Sequence, residues 1–208
     1  MLNQILHDGL VAMGSALPAD AQARLLAYVH LLEKWNRTYN LTAVRVPEQM
    51  IPRHLLDSLA ILPYLQGRRV LDMGTGAGLP GIPLAVARPD LDFVLLDSNA
   101  KKTRFVTQVC AELGLKNIEI TQERVEKYRP PRPFDTLVSR AFSTIADMLV
   151  ASRHLYGPGG QVLAMKGVYP QEELAAIPPG YKVRAAHALT IPGLQAARHV
   201  VVITPLPA

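Results

Sequence analysis

Apolar and polar positions change rhythm near residue 67. Before it they follow a helical period: in PADAQARLLAYVHLLEKWNRTYNL, residues Leu25, Leu26, Val29, Leu32, Trp35 and Tyr39 fall on one face, with charges between them. Pro18 precedes this stretch, and Asp20 is the expected capping residue. A second helix is predicted from about Pro47, through PEQMIPRHLLDSLAILPYL, with Pro52 tolerated in or near its first turn and Pro63 near its end. Gly67 closes the helical region.

From residue 68 short apolar runs alternate with helical ones. RRVLDMG and LDFVLLDS are nearly continuous apolar runs carrying an acid near the end, as suits strands buried on both faces of a parallel sheet. NIEIT, FDTLVSRAF and GGQVLAMKG supply three more strands. The helices NAKKTRFVTQVCAELGL and STIADMLVASRHL lie between strands, and RPPRPF must be an extended loop. YKVRAAHAL and RHVVVITPL are joined through TIPGLQAA without a helix, so they are expected as antiparallel neighbours. This order predicts a doubly wound α/β fold, Rossmann-like, whose seven-stranded sheet is mostly parallel, with an antiparallel C-terminal hairpin and an N-terminal helical extension. The extension covers residues 1–66 and the sheet domain 67–208, packed as one unit. A ligand crevice is expected at the carboxyl ends of the first strands.

The glycine loop falls at that crevice. Gly74, Gly76 and Gly78 alternate in LDMGTGAGLPG, one residue tighter than the dinucleotide fingerprint G-x-G-x-x-G, and no Gly-Lys-Ser/Thr of a phosphate-binding P-loop follows. Alternating glycines let the backbone approach a ligand closely, and the helix beyond offers free N–H groups. These suit the carboxylate of an amino-acid tail, while Asp72 is placed to hold its ammonium. Asp97, about twenty residues on, stands where an acid hydrogen-bonds ribose hydroxyls, or caps the next helix. Adenosine bearing a methionine tail fits all of these features, so the expected cofactor is S-adenosyl-L-methionine and the fold a class I methyltransferase. In QERVEKY, Glu123 and Glu126 are either solvated or next in line along the crevice, with Val125 as an apolar wall for the adenine.

Composition adds limits. A formal charge of +5 and a pI near 9.5 favour an acidic partner, nucleic acid first. The lone Cys110 lies on the apolar stripe of its helix and reads as a core thiol in a reducing compartment. The N-terminal apolar run is interrupted by His7 and Asp8 and lacks a basic region, so it is not expected to be a signal peptide, and no run approaches membrane-spanning length. The cytoplasm is the default. The six histidines have no metal-ligand spacing, and no metal is expected.

EKWNRTYNLTAV, RHLLDSL, DMGTGAGLPGIPLA, LLDSNAKKTRF, ERVE, VSRAF and MKG, in this order and spacing, resemble the RsmG (GidB) family of bacterial small-subunit ribosomal RNA methyltransferases, from about residue 20 to RHVVVI. The resemblance implies methyl transfer from S-adenosylmethionine to N7 of one guanine in the decoding-region hairpin of 16S rRNA. It implies cofactor contacts at Gly74, Leu79, Val125, Glu126 and Arg140. Lys101-Lys102 stands where members often carry Lys-Arg, which leaves the charge unaltered.

The remaining candidates surround the target. Arg140, after the fourth strand, has forked donors that reach either the cofactor carboxylate or guanine O6, or make a structural ion pair. His54 and Asp57, three apart on a helix, either border the target-base pocket or join helix to domain. Lys166, with Gly167, either holds a phosphate or is solvated. Trp35, Asn36 and Asn40 read as an RNA stacking platform or as core packing, the latter because Trp35 lies on the apolar stripe. Lys101, Lys102, Arg104, Arg129, Arg132 and Arg153 are candidates for a phosphate-facing rim. The expected partner is 16S rRNA or the 30S subunit, and the chain is expected to be a monomer. A methyltransferase on another RNA or a small molecule, and a cofactor- or RNA-binding protein without turnover, remain alternatives. A nicotinamide dehydrogenase is disfavoured by the glycine spacing.

Overall fold

The computed structural model of the chain describes residues 1–140 and 142–206; Ala141 of the VSRAF motif and the last two residues lie outside them. Helices α1 (Leu2–Ala12) and α2 (Ala19–Tyr39) open the chain. α2 starts directly after an extended Pro18, which puts Asp20 one residue inside the helix; it is not the cap, and it faces Arg24 at 3.9 Å. The expected second helix is three pieces: α3 (Pro47–Met50), a π-helical segment at Ile51–Leu56, and α4 (Asp57–Leu59). Pro52 explains the break in spacing. It has no N–H for the carbonyl four residues back, and its ring crowds that carbonyl, so the backbone widens rather than continuing as α-helix.

Seven strands follow: β1 (Arg69–Met73), β2 (Asp92–Asp97), β3 (Ile118–Gln122), β4 (Phe134–Ser139), β5 (Tyr156–Lys166), β6 (Tyr181–Ala188) and β7 (His199–Pro205). Helices α5 (Gly81–Ala87), α6 (Ala100–Leu113), α7 (Ile145–Ser152) and α8 (Gln171–Ala175) connect them. The sheet order is β3-β2-β1-β4-β5-β7-β6. The first five strands are parallel; β6 and β7 are antiparallel neighbours, as the missing connecting helix predicts, and β7 is inserted between β6 and β5, antiparallel to both. The chain winds outward from β1 to β3 and then crosses back to β4. The carboxyl ends of β1 and β4 therefore flank the point where the winding reverses, where ligands bind in such sheets.

The two faces of the sheet bury alternate residues. On one, Val70, Leu95, Val138 and Leu163 pack with Leu6, Leu25, Leu32, Leu55, Ile82 and Phe105. On the other, Leu71, Leu96, Leu137 and Val162 pack with Ile145, Met148 and Leu149. The N-terminal helices thus supply a layer of the sheet's own core, and each fully buried Leu or Phe contributes roughly 1.5–3 kcal/mol. Cys110 belongs to the first face, where burial pushes its thiol up to about 11. No described helix is long and apolar enough to cross a membrane.

Candidate active site

The glycine loop is held from below and open above. Gly74 and Thr75 donate their N–H groups to the Leu96 carbonyl at 2.8 and 3.0 Å, fixing the loop to β2. Asp72, fully buried, accepts at Oδ2 from the Thr75 hydroxyl (2.6 Å) and the Gly81 N–H (2.8 Å). Gly81 leaves no free room there: a Cβ would lie 2.1 Å from the Leu95 side chain and 2.7 Å from Asp72 Oδ2, so either side chain would have to shift. Tyr28 reaches from α2 to donate to the Ala77 carbonyl at 2.8 Å. Gly74, at φ +69°, faces open space on its other side; a Cβ there would meet nothing within 4 Å. Such a cradle suits close approach of a ligand to the backbone.

Asp97 ends β2 beside the cradle. Its Oδ2 accepts from Gly76 N (2.9 Å) and its Oδ1 from Asn99 N (2.8 Å), leaving each oxygen a further lone pair for a ribose hydroxyl. Asn99, not Asp97, caps α6, by accepting from Lys101 and Lys102 N–H. A cavity of about 200 Å³ lies between Gly74, Asp97, Glu123, Val125, Glu126 and Phe142. An adenosine fits this set: acceptors at one end, the buried Val125 wall at the other, and the glycine backbone between.

Five expected cofactor residues are not in that lining: Arg140 lines a different cavity, Gly76 donates to Asp97, and Asp72, Gly78 and Leu79 lie within the turn. Asp72 lies under the loop; its Oδ1 is buried without a hydrogen-bond partner, and burial raises its pKa to about 6 against the pull of Thr75 and Gly81. Gly78 and Leu79 both donate their N–H groups to the Thr75 carbonyl, at 2.9 Å each, and the Leu79 side chain is buried in the core. These two shape the turn and do not line the cavity.

A second cavity, of about 360 Å³, gathers four sequence candidates, His54, Asp57, Arg140 and Lys166, with Arg53, Arg198 and His199. Asp57, 2% exposed, lies between two guanidiniums: Arg198 Nε donates to its Oδ1 at 2.9 Å, and Arg140 Nη1 reaches its Oδ2 at 3.5 Å. Burial raises the Asp57 pKa, and the two arginines counter it. Both carboxylate oxygens are therefore engaged in aiming the arginines. Arg140 Nη1 also approaches the Arg53 carbonyl at 3.4 Å. Its charge lowers the pKa values of Tyr28, His54, Asp57 and Asp72, so from the lining of the second cavity it acts on groups of the cavity and on those holding the glycine loop.

His54 has a defined tautomer. Its Nδ1 lies 2.9 Å from the Arg53 carbonyl, which can only accept, so Nδ1 carries the hydrogen and Nε2 accepts from the Thr42 hydroxyl at 2.9 Å. Burial, then the Arg140 charge, lowers its pKa to about 4. The ring is neutral at physiological pH. His54 and Asp57 share the cavity, but through different partners.

Lys166 is not a solvated lysine. Its Nζ pairs at 2.8 Å with Glu173, which also accepts from Ile145 N at the start of α7. The aromatic and amide set at the end of α2 is committed to folding: Trp35 packs against Phe105 and Tyr39, with ring centroids at 5.6 and 5.2 Å. Asn36 binds the Val44 carbonyl and the Thr42 N–H, and Asn40, at φ +51°, accepts from Arg45. The candidate basic rim is spread over α6, the loop before β4 and the end of α7. Within it Arg129 donates to the Glu126 and Tyr128 carbonyls and lies 2.8 Å from His154.

Arg53, Arg198 and His199 are missing from the sequence reading. The available signal was the pair Arg198-His199 opening the last strand. Antiparallel pairing puts the start of β7 beside the end of β5, with His199 opposite Lys166.

Comparison with known proteins follows this geometry. The family model described as rRNA small subunit methyltransferase G (GidB) matches residues 21–201. "Ribosomal RNA small subunit methyltransferase G" of Nitrosococcus oceani is 53% identical over 97% of this chain and 94% of its own. The protein of that name in Pseudomonas aeruginosa strain LESB58 is 55% identical over 95% and 93%. Among solved structures, TrmN from Thermus thermophilus is similar with a TM-score of 0.61 at 22% identity, over 82% of this chain and 53% of its own. A SAM-dependent methyltransferase from Thiobacillus denitrificans, solved with S-adenosyl-L-homocysteine, is similar with a TM-score of 0.56 at 15% identity, over 85% and 97%. These two likenesses concern the fold. With a family model spanning most of the sequence and relatives above 50% identity at nearly full length, the chain belongs to the rRNA small subunit methyltransferase G (GidB) family.

Proposed function

We infer that this chain transfers the methyl group of S-adenosylmethionine to N7 of a single guanine in the decoding-region hairpin of 16S rRNA. Family membership supports the rRNA substrate. The observation that carries the reading structurally is Arg140, which lines the cation-rimmed cavity and whose charge reaches Asp72 beneath the glycine loop that lines a cavity suited to adenosine. The same reading assigns the enzyme to the cytoplasm, as a monomer, on free rRNA or the 30S subunit.

When bound, the cofactor supplies a methyl group already activated on sulfonium. Gly74 and Gly76 would receive its amino-acid portion, Asp97 its ribose, and Val125 with Glu126 its base. Guanine N7 carries an unprotonated lone pair at neutral pH, so no general base is required. The task of the protein is placement at near-attack distance and exclusion of water. Arg53, Arg140 and Arg198 suit guanine O6 and the flanking phosphates, which accept from guanidinium forks. They do not favour the positive charge of the product base, and Asp57 has both oxygens engaged. The second cavity therefore acts by holding the nucleotide, and the rate gain comes from alignment.

The test incubates the full-length protein with S-adenosylmethionine labelled in the methyl group and 16S rRNA from cells lacking the enzyme, free and as 30S subunits. Label at one guanine, mapped by N7-specific strand scission, is the expected result. Cofactor binding with no label on either form would overturn the rRNA assignment.

A further inference from the structure

Extraction of a base from an RNA stack leaves a gap, and proteins that hold a base outside the helix fill or flank that gap with an apolar or aromatic side chain. The apolar side chains lining the arginine-rich cavity, Val44 and Met165, are half-buried and buried; the exposed ones lie just beyond the lining. Val168 and Tyr169, 76% and 52% exposed, are the only two adjacent exposed large hydrophobic residues among the described residues. They continue directly from Lys166 and Gly167, which line the cavity.

The position of the tyrosine is fixed from the opposite strand. Its ring meets His199 at 5.7 Å between centroids and 75° between planes. His199 is itself anchored, with Nδ1 donating to the Gly167 carbonyl at 2.8 Å, and it lines the same cavity. The Tyr169 carbonyl accepts from Gln171 N at 3.0 Å, which ties the loop to the start of α8. A near-perpendicular contact uses at most one face of an aromatic ring. The half-exposed remainder is presented beside the cavity mouth. Burial does not account for the two side chains, whereas Trp35, the other candidate platform, is occupied by Phe105 and Tyr39.

We propose that Tyr169 is the stacking residue for the RNA: its free face receives a base adjacent to the target guanine, with Val168 against the same base step, while the target sits in the arginine-lined cavity. This rests on the rRNA reading above and names the residue that holds the substrate open. Tyr169 is a positioning residue, not a catalytic one. Stacking tolerates any base, so it supplies grip, and the cavity supplies identity.

The experiment compares the full-length protein with Tyr169→Ala, Tyr169→Leu and Tyr169→Trp, reading the KM for 16S rRNA or 30S subunits, kcat, the dissociation constant for S-adenosylmethionine, and the thermal midpoint. Loss of one stacked base lowers kcat/KM for RNA by about tenfold or more. The expected result is that loss in the Ala and Leu variants, recovery to within a few-fold in the Trp variant, and unaltered cofactor affinity and midpoint in all three. Equal activity of the Ala variant overturns the proposal, as does a Leu variant that works as well as Trp, since that denotes apolar packing. A fall in cofactor affinity or midpoint denotes a structural role and also overturns it. Absence of methyl transfer by the unaltered protein removes the rRNA reading itself and is seen before any variant is tested.

Discussion

The glycine loop takes its shape from backbone N–H groups, one buried carboxylate and a closely packed glycine, Gly81, and is reinforced by Tyr28. The arginine-lined cavity is made by side chains from four distant segments, with Asp57 bonded to Arg198 across 141 positions. The first is a fixed cradle; the second is an arrangement of charges held in balance. The difference teaches where substitution does what: in the loop it acts on folding and cofactor affinity, in the cavity on nucleotide placement.

Arg140 lines the cavity and its charge reaches the loop, so its loss is the strongest test of their separateness. Arg140→Ala is expected to reduce methyl transfer by roughly two to three orders of magnitude, the scale of losing one preorganised donor or a small displacement at the reacting atoms, with the fold preserved by circular dichroism. Full activity would remove Arg140 from the site.

Proton linkage gives His54 of the cavity and Asp72 of the loop opposite signs. His54 has its folded pKa lowered to about 4, so its neutral ring contributes stability above the unfolded value near 6.5, and that contribution is lost as pH falls toward 4. Asp72 has its folded pKa raised to about 6, so its contribution is full below the ordinary carboxylate value and is lost as pH rises through 6. Each shift corresponds to on the order of 3 kcal/mol. Urea unfolding at pH 4 to 7 is expected to show His54→Asn flattening the acid loss and Asp72→Asn flattening the loss on the way to neutrality. Slopes of the same sign in the two variants would refute this opposition.

Gly81→Ala is expected to destabilise by about 1–3 kcal/mol, through the clash with Leu95 and Asp72. A midpoint within error of the parent would show that α5 shifts freely. The smallest effect belongs to Asp97→Asn, which keeps one acceptor for two N–H donors, Gly76 and Asn99. Cofactor affinity should fall about tenfold, with the KM for RNA unaltered; a rise in the RNA KM would show that the two regions are coupled through the loop.

Legibility from sequence followed the same division. The seven strands along the chain, the C-terminal hairpin and the crevice were readable because period-two and period-3.6 patterns report burial directly. The loop was readable because its conformation needs glycines at fixed places. The sequence shows an acid, Asp72, near the ligand crevice but not that its Oδ2 is bonded to Thr75 and Gly81. His54 and Asp57 were found from one helix, whereas Arg198 depends on which strand β7 pairs with, and no local pattern carries that.

The π-helical segment at Ile51–Leu56 makes residue count itself a determinant of the site. An α-helix advances about 100° per residue. The i→i+5 spacing fits one more residue into a turn than α spacing does, so substitutions that return the segment to α spacing at unaltered length would swing Asp57 around the axis and away from both guanidiniums, while leaving helical content by circular dichroism near that of the parent. The segment is a phase adjuster between two rigid parts. Spacing and length in this stretch are therefore coupled: a return to α spacing at unaltered length is expected to abolish methyl transfer, where a one-residue deletion that restores α spacing keeps Asp57 in phase.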